Sequence, residues 1–129
     1  MGSNSFNAEV FNPSERHQII VMTSHPDRYK SREVPGQIEF TSETPAAISS
    51  RFIIKGHPQM LVIGGPHIAT SFLREQLIDE LWLTFEPKIF GSGDNFATGE
   101  KLDIDLRLIH SEKVNEQGTL INKYAVFKK

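Results

Sequence analysis

The sequence contains no cysteine. Disulfides, thiolate nucleophiles and thiolate metal sites are therefore excluded, and the chain suits a reducing compartment. It has no apolar run approaching the length of a membrane span. Its start, Met1-Gly2-Ser3-Asn4-Ser5-Phe6, has neither a basic opening nor an apolar stretch, so no signal peptide is expected and the location expected is cytoplasmic. An excess of positive charge is also missing. Fourteen basic and 16 acidic residues give a formal net charge of −2. Nucleic acid and anionic membranes need clustered positive charge, so neither is an expected partner.

Several catalytic signatures are absent too. His17, His25, His57, His67 and His110 show no metal-ligand spacing, such as two histidines four apart, so no metal is expected. There is no Gly-X-Ser-X-Gly element of the hydrolase type. Gly91-Ser92-Gly93 is not followed by Lys-Ser/Thr and is not a complete phosphate loop. Asp79-Glu80 sits at a predicted helix-to-strand corner and Asp103/Asp105 on a predicted wet strand face. Neither pair calls for acid–base catalysis.

What remains is an ordinary globular composition. The length of 129 residues fits one domain, with residues 1–16 as a polar, irregular N-terminal segment. Gln18-Ile19-Ile20-Val21-Met22 reads as a buried strand, and Ile38-Glu39-Phe40 as a second. Thr44-Pro45 caps a helix that ends at Gly56. Met60-Leu61-Val62-Ile63 reads as a buried central strand of a parallel sheet. A helix follows from Pro66, with Ile68, Phe72, Leu73 and Leu77 along one stripe. Alternation predicts a strand over 81–86 and another over 102–108. Asn115-Glu116-Gln117-Gly118 turns into a final strand near 119–127, paired antiparallel with the one before it. Trp82, Phe85, Tyr124 and Phe127 are expected in the core or an interface. The fold class expected is three-layer α/β/α, with a mainly parallel sheet and a C-terminal antiparallel hairpin.

The strongest local feature is Ile63-Gly64-Gly65-Pro66-His67-Ile68. A strand ends, two glycines turn the chain and a helix begins. Glycine permits close backbone approach and positive φ, and a helix N-terminus presents free N–H groups to an anion. Open α/β sheets bind ligands beyond the carboxyl ends of their strands. Two readings fit: a phosphate-receiving turn, and a tight turn with no ligand. The strand over 18–22 ends in Thr23, Ser24, His25 and then Arg28. These side chains suit a second phosphate or a ribose, and they equally suit an exposed turn.

These residues resemble the dihydrofolate-reductase-like superfamily, in particular the reductase domain of the bifunctional riboflavin-biosynthesis deaminase–reductase. The resemblance covers about residues 17–128. Ile20-Val21-Met22-Thr23-Ser24 resembles the strand that ends beside the adenosine phosphate. Leu61-Val62-Ile63-Gly64-Gly65 is similar to the strand whose paired glycines face the cofactor pyrophosphate. Leu77-Ile78-Asp79-Glu80-Leu81 and the Pro87–Gly93 loop resemble further family segments in the family's order. Met1-Gly2-Ser3-Asn4-Ser5-Phe6 looks like the family's Met-Gly-Arg-X-Thr-Phe, and equally like a flexible start. The first match would place Gly2, Asn4 and Ser5 at cofactor phosphates. Ser3 stands where the family has arginine, which weakens the expected preference for the extra phosphate of NADP.

The resemblance implies NADPH as cofactor and hydride transfer to a pterin or ribosylamino-pyrimidine. It implies a cofactor site of Gly2, Asn4, Ser5, Thr23, Ser24, His25, Ile63, Gly64, Gly65, Pro66, His67 and Ile68. The family's first central strand and substrate-holding helix have no counterpart before Met1, so no catalytic residue is assigned. Uncovered sheet edges then imply a homodimer. A non-catalytic nucleotide-binding or oligomerisation module stands as the alternative.

Overall fold

The structure, a computed structural model of the chain, describes residues 1–8, 12–99 and 101–129. Residues 9–11 of the N-terminal segment lie outside the described residues. The elements run α1 (Ser3–Ala8), β1 (Ile19–Met22), a 3₁₀ turn (Pro26–Arg32), β2 (Ile38–Thr41), α2 (Pro45–Ile54), α3 (Pro66–Arg74), β3 (Glu80–Phe85), β4 (Leu106–Lys113) and β5 (Leu120–Val126). The architecture is mixed α/β, with parallel pairing early and antiparallel pairing at the C-terminus.

β1 and β2 pair parallel, Ile19 opposite Ile38 through Met22 opposite Thr41. The other edge of β1 takes the chain start. The Met1 ammonium donates to the Ile20 carbonyl at 2.8 Å, and Met22 N–H donates to the Met1 carbonyl at 2.7 Å. Gly2 bridges Met22 in the parallel sense. This short ladder explains why part of the segment read as irregular forms a helix. With Gly2 fixed, Phe6 drops into the core against Val21 and Phe40, and all three are buried. Its ring meets Phe40 edge-on at 5.2 Å, and Tyr29 stacks on Phe40 at 4.8 Å.

α2 starts where the cap predicts. Thr44 Oγ1 accepts from Ala47 N–H, and Pro45 opens the helix. Ile48 and Phe52 are buried on one face. The Arg51 guanidinium donates to both Glu39 oxygens, at 2.6 and 3.0 Å, and to Glu43. This ties α2 to β2, and the hydrogen bond from Arg51 holds the Glu43 carboxyl below the usual carboxylate range. Both helix ends close with the same pattern. His57 N–H reaches Phe52 O and Leu77 N–H reaches Phe72 O, each spanning the last turn. The residue at the left-handed position is Gly56 after α2, with φ +82°, but Gln76 after α3, with φ +55°.

Residues 60–63 depart from the expectation of a buried strand. They run between α2 and α3 with no strand partner, Leu61 is 79% exposed, and Met60 and Ile63 are exposed as well. The apolar run has strand composition, but among the described residues no strand lies alongside to accept its hydrogen bonds. Two sheets result: β1–β2, and a separate sheet in the order β3–β5–β4. In the second, β5 pairs antiparallel with both neighbours. The β4–β5 hairpin matches the expectation, with its turn held by Asn115, whose side-chain oxygen accepts from Gly118 and Thr119 N–H at 3.0 Å each. β4 starts four residues later than the alternation predicts. Of the residues at 102–105, only Asp105 enters the ladder region, through its carbonyl and Phe127 N–H.

The left-handed Gln76 gives a test. Replacing it with glycine removes a Cβ from a backbone region that L-residues disfavour by roughly 1–2 kcal/mol. Gln76→Gly should raise unfolding stability by on the order of 1 kcal/mol in urea denaturation. A variant no more stable than the parent would contradict a strained left-handed backbone at Gln76.

Candidate functional site

The site grows from the junction of β1, the chain start and α3. Ile68, in the first turn of α3, fills space that two glycines leave open. A Cβ on Gly64 would stand 2.8 Å from Ile68 Cβ and 3.0 Å from its Cγ2. A Cβ on Gly2 would stand 3.1 Å from Ile68 Cγ1. Gly2 in turn bridges Met22 at the end of β1. The turn at 64–65, the start of α1 and the tip of β1 therefore meet around one side chain.

The two glycines of the pair do different things. Neither adopts positive φ; those glycines are Gly36, Gly56, Gly99 and Gly118. Gly64 is required by close packing on Ile68. Gly65 is the N-cap of α3 in an extended conformation, with φ −72° and ψ −179°, and a Cβ there would meet nothing within 4 Å. No side chain caps this helix. Its first intrahelical bond runs from Ala69 N–H to Gly65 O at 3.2 Å, which leaves the His67 and Ile68 amides ahead of the ladder. Pro66 has no N–H to offer. Two free amides, the positive end of the helix and open space over Gly65 fit an anion of phosphate size.

The other expected site residues distribute as follows. Ser3–Ala8 does form a helix, so Asn4 and Ser5 lie in its first turn next to Gly2. Thr23 extends the β1–β2 ladder through its N–H to Thr41 O at 2.9 Å. Its hydroxyl accepts from His25 N–H at 3.2 Å, which is turn chemistry, and Ser24 and His25 are exposed. Ile63 is exposed at the end of its unpaired segment, and the expected strand-to-strand crevice between 18–22 and 60–63 is not formed by pairing. The Met1 ammonium beside Gly2 is held below the usual α-amino range by its burial.

Two site neighbours carry no sequence signal. Thr70, buried in α3, donates to Pro66 O at 2.7 Å and accepts from Thr98 N–H at 2.9 Å. Thr98 Oγ1 lies 3.3 Å from His67 Nδ1. The pairing of residues 28 and 31 positions apart is visible only in three dimensions. A separate cavity of about 220 Å³ lies at the far end of α3, lined by Leu73, Ile78, Leu102 and Phe127 with Arg74 and Lys128 at its margin. None of the expected site residues lines it. The glycine turn is an open surface at a helix start, so enclosure is no guide to an anion site there. Among the described residues no cluster of histidines and carboxylates is placed to hold a metal ion, and no helix is long and apolar enough to cross a membrane.

The mixed α/β fold is similar to the reductase-like fold of riboflavin biosynthesis. The family described as the RibD C-terminal domain matches residues 3–120, and the chain belongs to that family. A crystal structure of a protein from Shewanella sp. PV-4, assigned provisionally to riboflavin biosynthesis, superposes with a TM-score of 0.74 over 98% of this chain and 72% of its own. At 21% identity that likeness is one of fold. YwjB, an uncharacterised protein of Bacillus subtilis (strain 168), is 28% identical over 81 residues, 63% of this chain. The match spans 44% of the length of YwjB.

The glycines give a paired test. Gly64→Ala should cost about 1–3 kcal/mol of stability through overpacking on Ile68. Gly65→Ala, which meets no steric neighbour, should cost less, up to about 1 kcal/mol, the loss expected when alanine replaces glycine at a helix N-cap. Urea denaturation of both variants checks this, and equal effects would contradict the packing described.

Proposed function

We propose that the chain binds NADPH and belongs to a reductase that transfers hydride to a pterin or a ribosylamino-pyrimidine. The carrying observation is the open N-terminus of α3: two unbonded amides over a glycine with free space above it, at the junction with Gly2 and the tip of β1. Family membership supports a reductase-type role for the fold. In this reading Gly64, Gly65, Pro66, His67 and Ile68 receive the pyrophosphate, with Ile63 leading into them. Gly2, Asn4 and Ser5 approach the phosphates from α1, and Thr23, Ser24 and His25 lie toward the adenosine end. When bound, the nicotinamide supplies the hydride, and the protein supplies orientation and electrostatics. The location we propose is cytoplasmic.

The second reading, a non-catalytic nucleotide-binding or oligomerisation module, is favoured by the unpaired segment 60–63. A hydride-transfer site requires groups around the reacting carbon, and none of the described residues is assigned to that task. Only the first predicts turnover; nucleotide binding is predicted by the first and by the nucleotide-binding form of the second, not by a pure oligomerisation module.

Calorimetric titration should show saturable binding of NADPH. Gly65→Asp should abolish it, because the substitution sets a carboxylate on the anion site without a steric clash. A folded parent that binds neither NADPH nor NADH would sink the cofactor reading.

We further propose that the chain is a homodimer. Phe85 of β3 and Leu106 and Leu108 of β4 are exposed large apolar residues that the strand register places on one face of the three-stranded sheet. Apolar surface of this kind marks an association face. Light scattering should give twice the chain mass of 14.6 kDa. A monomer at the same concentration would count against the dimer and leave the cofactor proposal untouched.

A further inference from the structure

We propose that Thr70 and Thr98 form a clasp that straps the loop 86–99 onto the first turns of α3, and that this clasp positions the Gly64–Gly65 turn and His67 for the dinucleotide. The inference rests on the cofactor reading above and names residues that reading does not contain.

Among the described residues the loop has little else to hold it. Ile89 is 102% exposed and Phe90 72%, so these two side chains give it no anchorage. Its start is fixed by Glu86, whose carboxylate accepts from the buried Thr119 hydroxyl at 2.8 Å. Its end is fixed by Thr98. The Thr98 N–H donates to Thr70 Oγ1 at 2.9 Å, and Gly99 then turns away with φ +80°.

Thr70 is the pivot. A helix threonine commonly returns its hydroxyl proton to the carbonyl four residues back, and here that carbonyl is Pro66 O at 2.7 Å. The hydroxyl's lone pairs are then free to accept, and the loop amide takes one of them. One buried hydroxyl thus connects the loop to the residue that follows Gly65. The second contact is at the surface. Thr98 Oγ1 and His67 Nδ1 lie 3.3 Å apart, which restrains the imidazole and leaves Nε2 as its other polar atom. His67 also owns one of the two free amides. Loop, imidazole and helix start therefore move together, and an anion bound at the amides meets a turn already fixed in place. Thr70 and Thr98 are positioning residues in this account, because they act through Pro66 and His67.

The experiment measures amide hydrogen exchange and NADPH affinity on the full chain, its Thr70→Val and Thr70→Ser forms, and Thr98→Val. In the parent the Thr98 amide should be protected. Thr70→Val should speed exchange across 86–99 at least tenfold and weaken NADPH binding at least fivefold. Thr70→Ser keeps the hydroxyl and should restore both. Thr98→Val should leave the Thr98 amide protected and weaken binding about threefold through His67 alone. Fast exchange in Thr70→Val with affinity within twofold of the parent would overturn the positioning role while leaving the cofactor reading intact. A parent that binds no NADPH would overturn the cofactor reading, and this inference with it. If Thr70→Val does not fold, Thr98→Val decides, since it changes only a surface contact: unchanged affinity overturns the proposal.

Discussion

Ile68 is the side chain on which the proposed site depends. It occupies room that Gly64 and Gly2 leave open, from opposite stretches of chain. Van der Waals contact is weak per atom pair, but its repulsive wall is steep: a Cβ on Gly64 would force Ile68 to shift and one on Gly2 would crowd it, so both backbones close on the helix as glycine. With them closed, the start of α1 reaches the tip of β1, Phe6 enters the core with Val21 and Phe40, and α3 begins at the same junction. An anion site at the first turn of α3 is then a by-product of packing. The amides are free because proline opens the helix and glycine caps it without a side-chain acceptor.

That arrangement changes the meaning of the glycine pair. From the sequence, both glycines suit a backbone that nears a ligand or adopts positive φ. In the structure Gly64 answers to an isoleucine and Gly65 to open space. The chemical expectation at Gly65 stands on what lies above it, while the conformational argument moves to Gly56, where φ is positive and a helix has to stop. Gln76 shows the same stop made without glycine.

Local chemistry was the legible part of the sequence. The Thr44-Pro45 cap, the Gly56 stop, the 19–22 and 38–41 strands and the hairpin around Asn115 each follow from a few adjacent residues. Residues 60–63 did not follow, because an apolar run specifies a strand only when a neighbour offers a ladder. β4 began late because alternation at 102–105 is equally compatible with an extended, unpaired stretch. The family resemblance was legible through the order of several weak segments and is matched over residues 3–120. The Thr70–Thr98 contact was invisible, since no spacing rule links a mid-helix threonine to a loop 28 residues on.

The chain has one tryptophan, and its placement makes it a natural reporter. Trp82 is 58% exposed on β3, its Nε1–H donates to Glu80 at 3.0 Å, and the Lys123 ammonium from β5 sits 3.9 Å over its ring. A cation stacked on one face and water on the other make its emission sensitive to anything that covers that side of the sheet. Intrinsic fluorescence of this protein is consequently a one-residue optical signal from the β3–β5 surface. It can be followed without a label, in a sheet separate from the β1–β2 pair on which the proposed dinucleotide site is built.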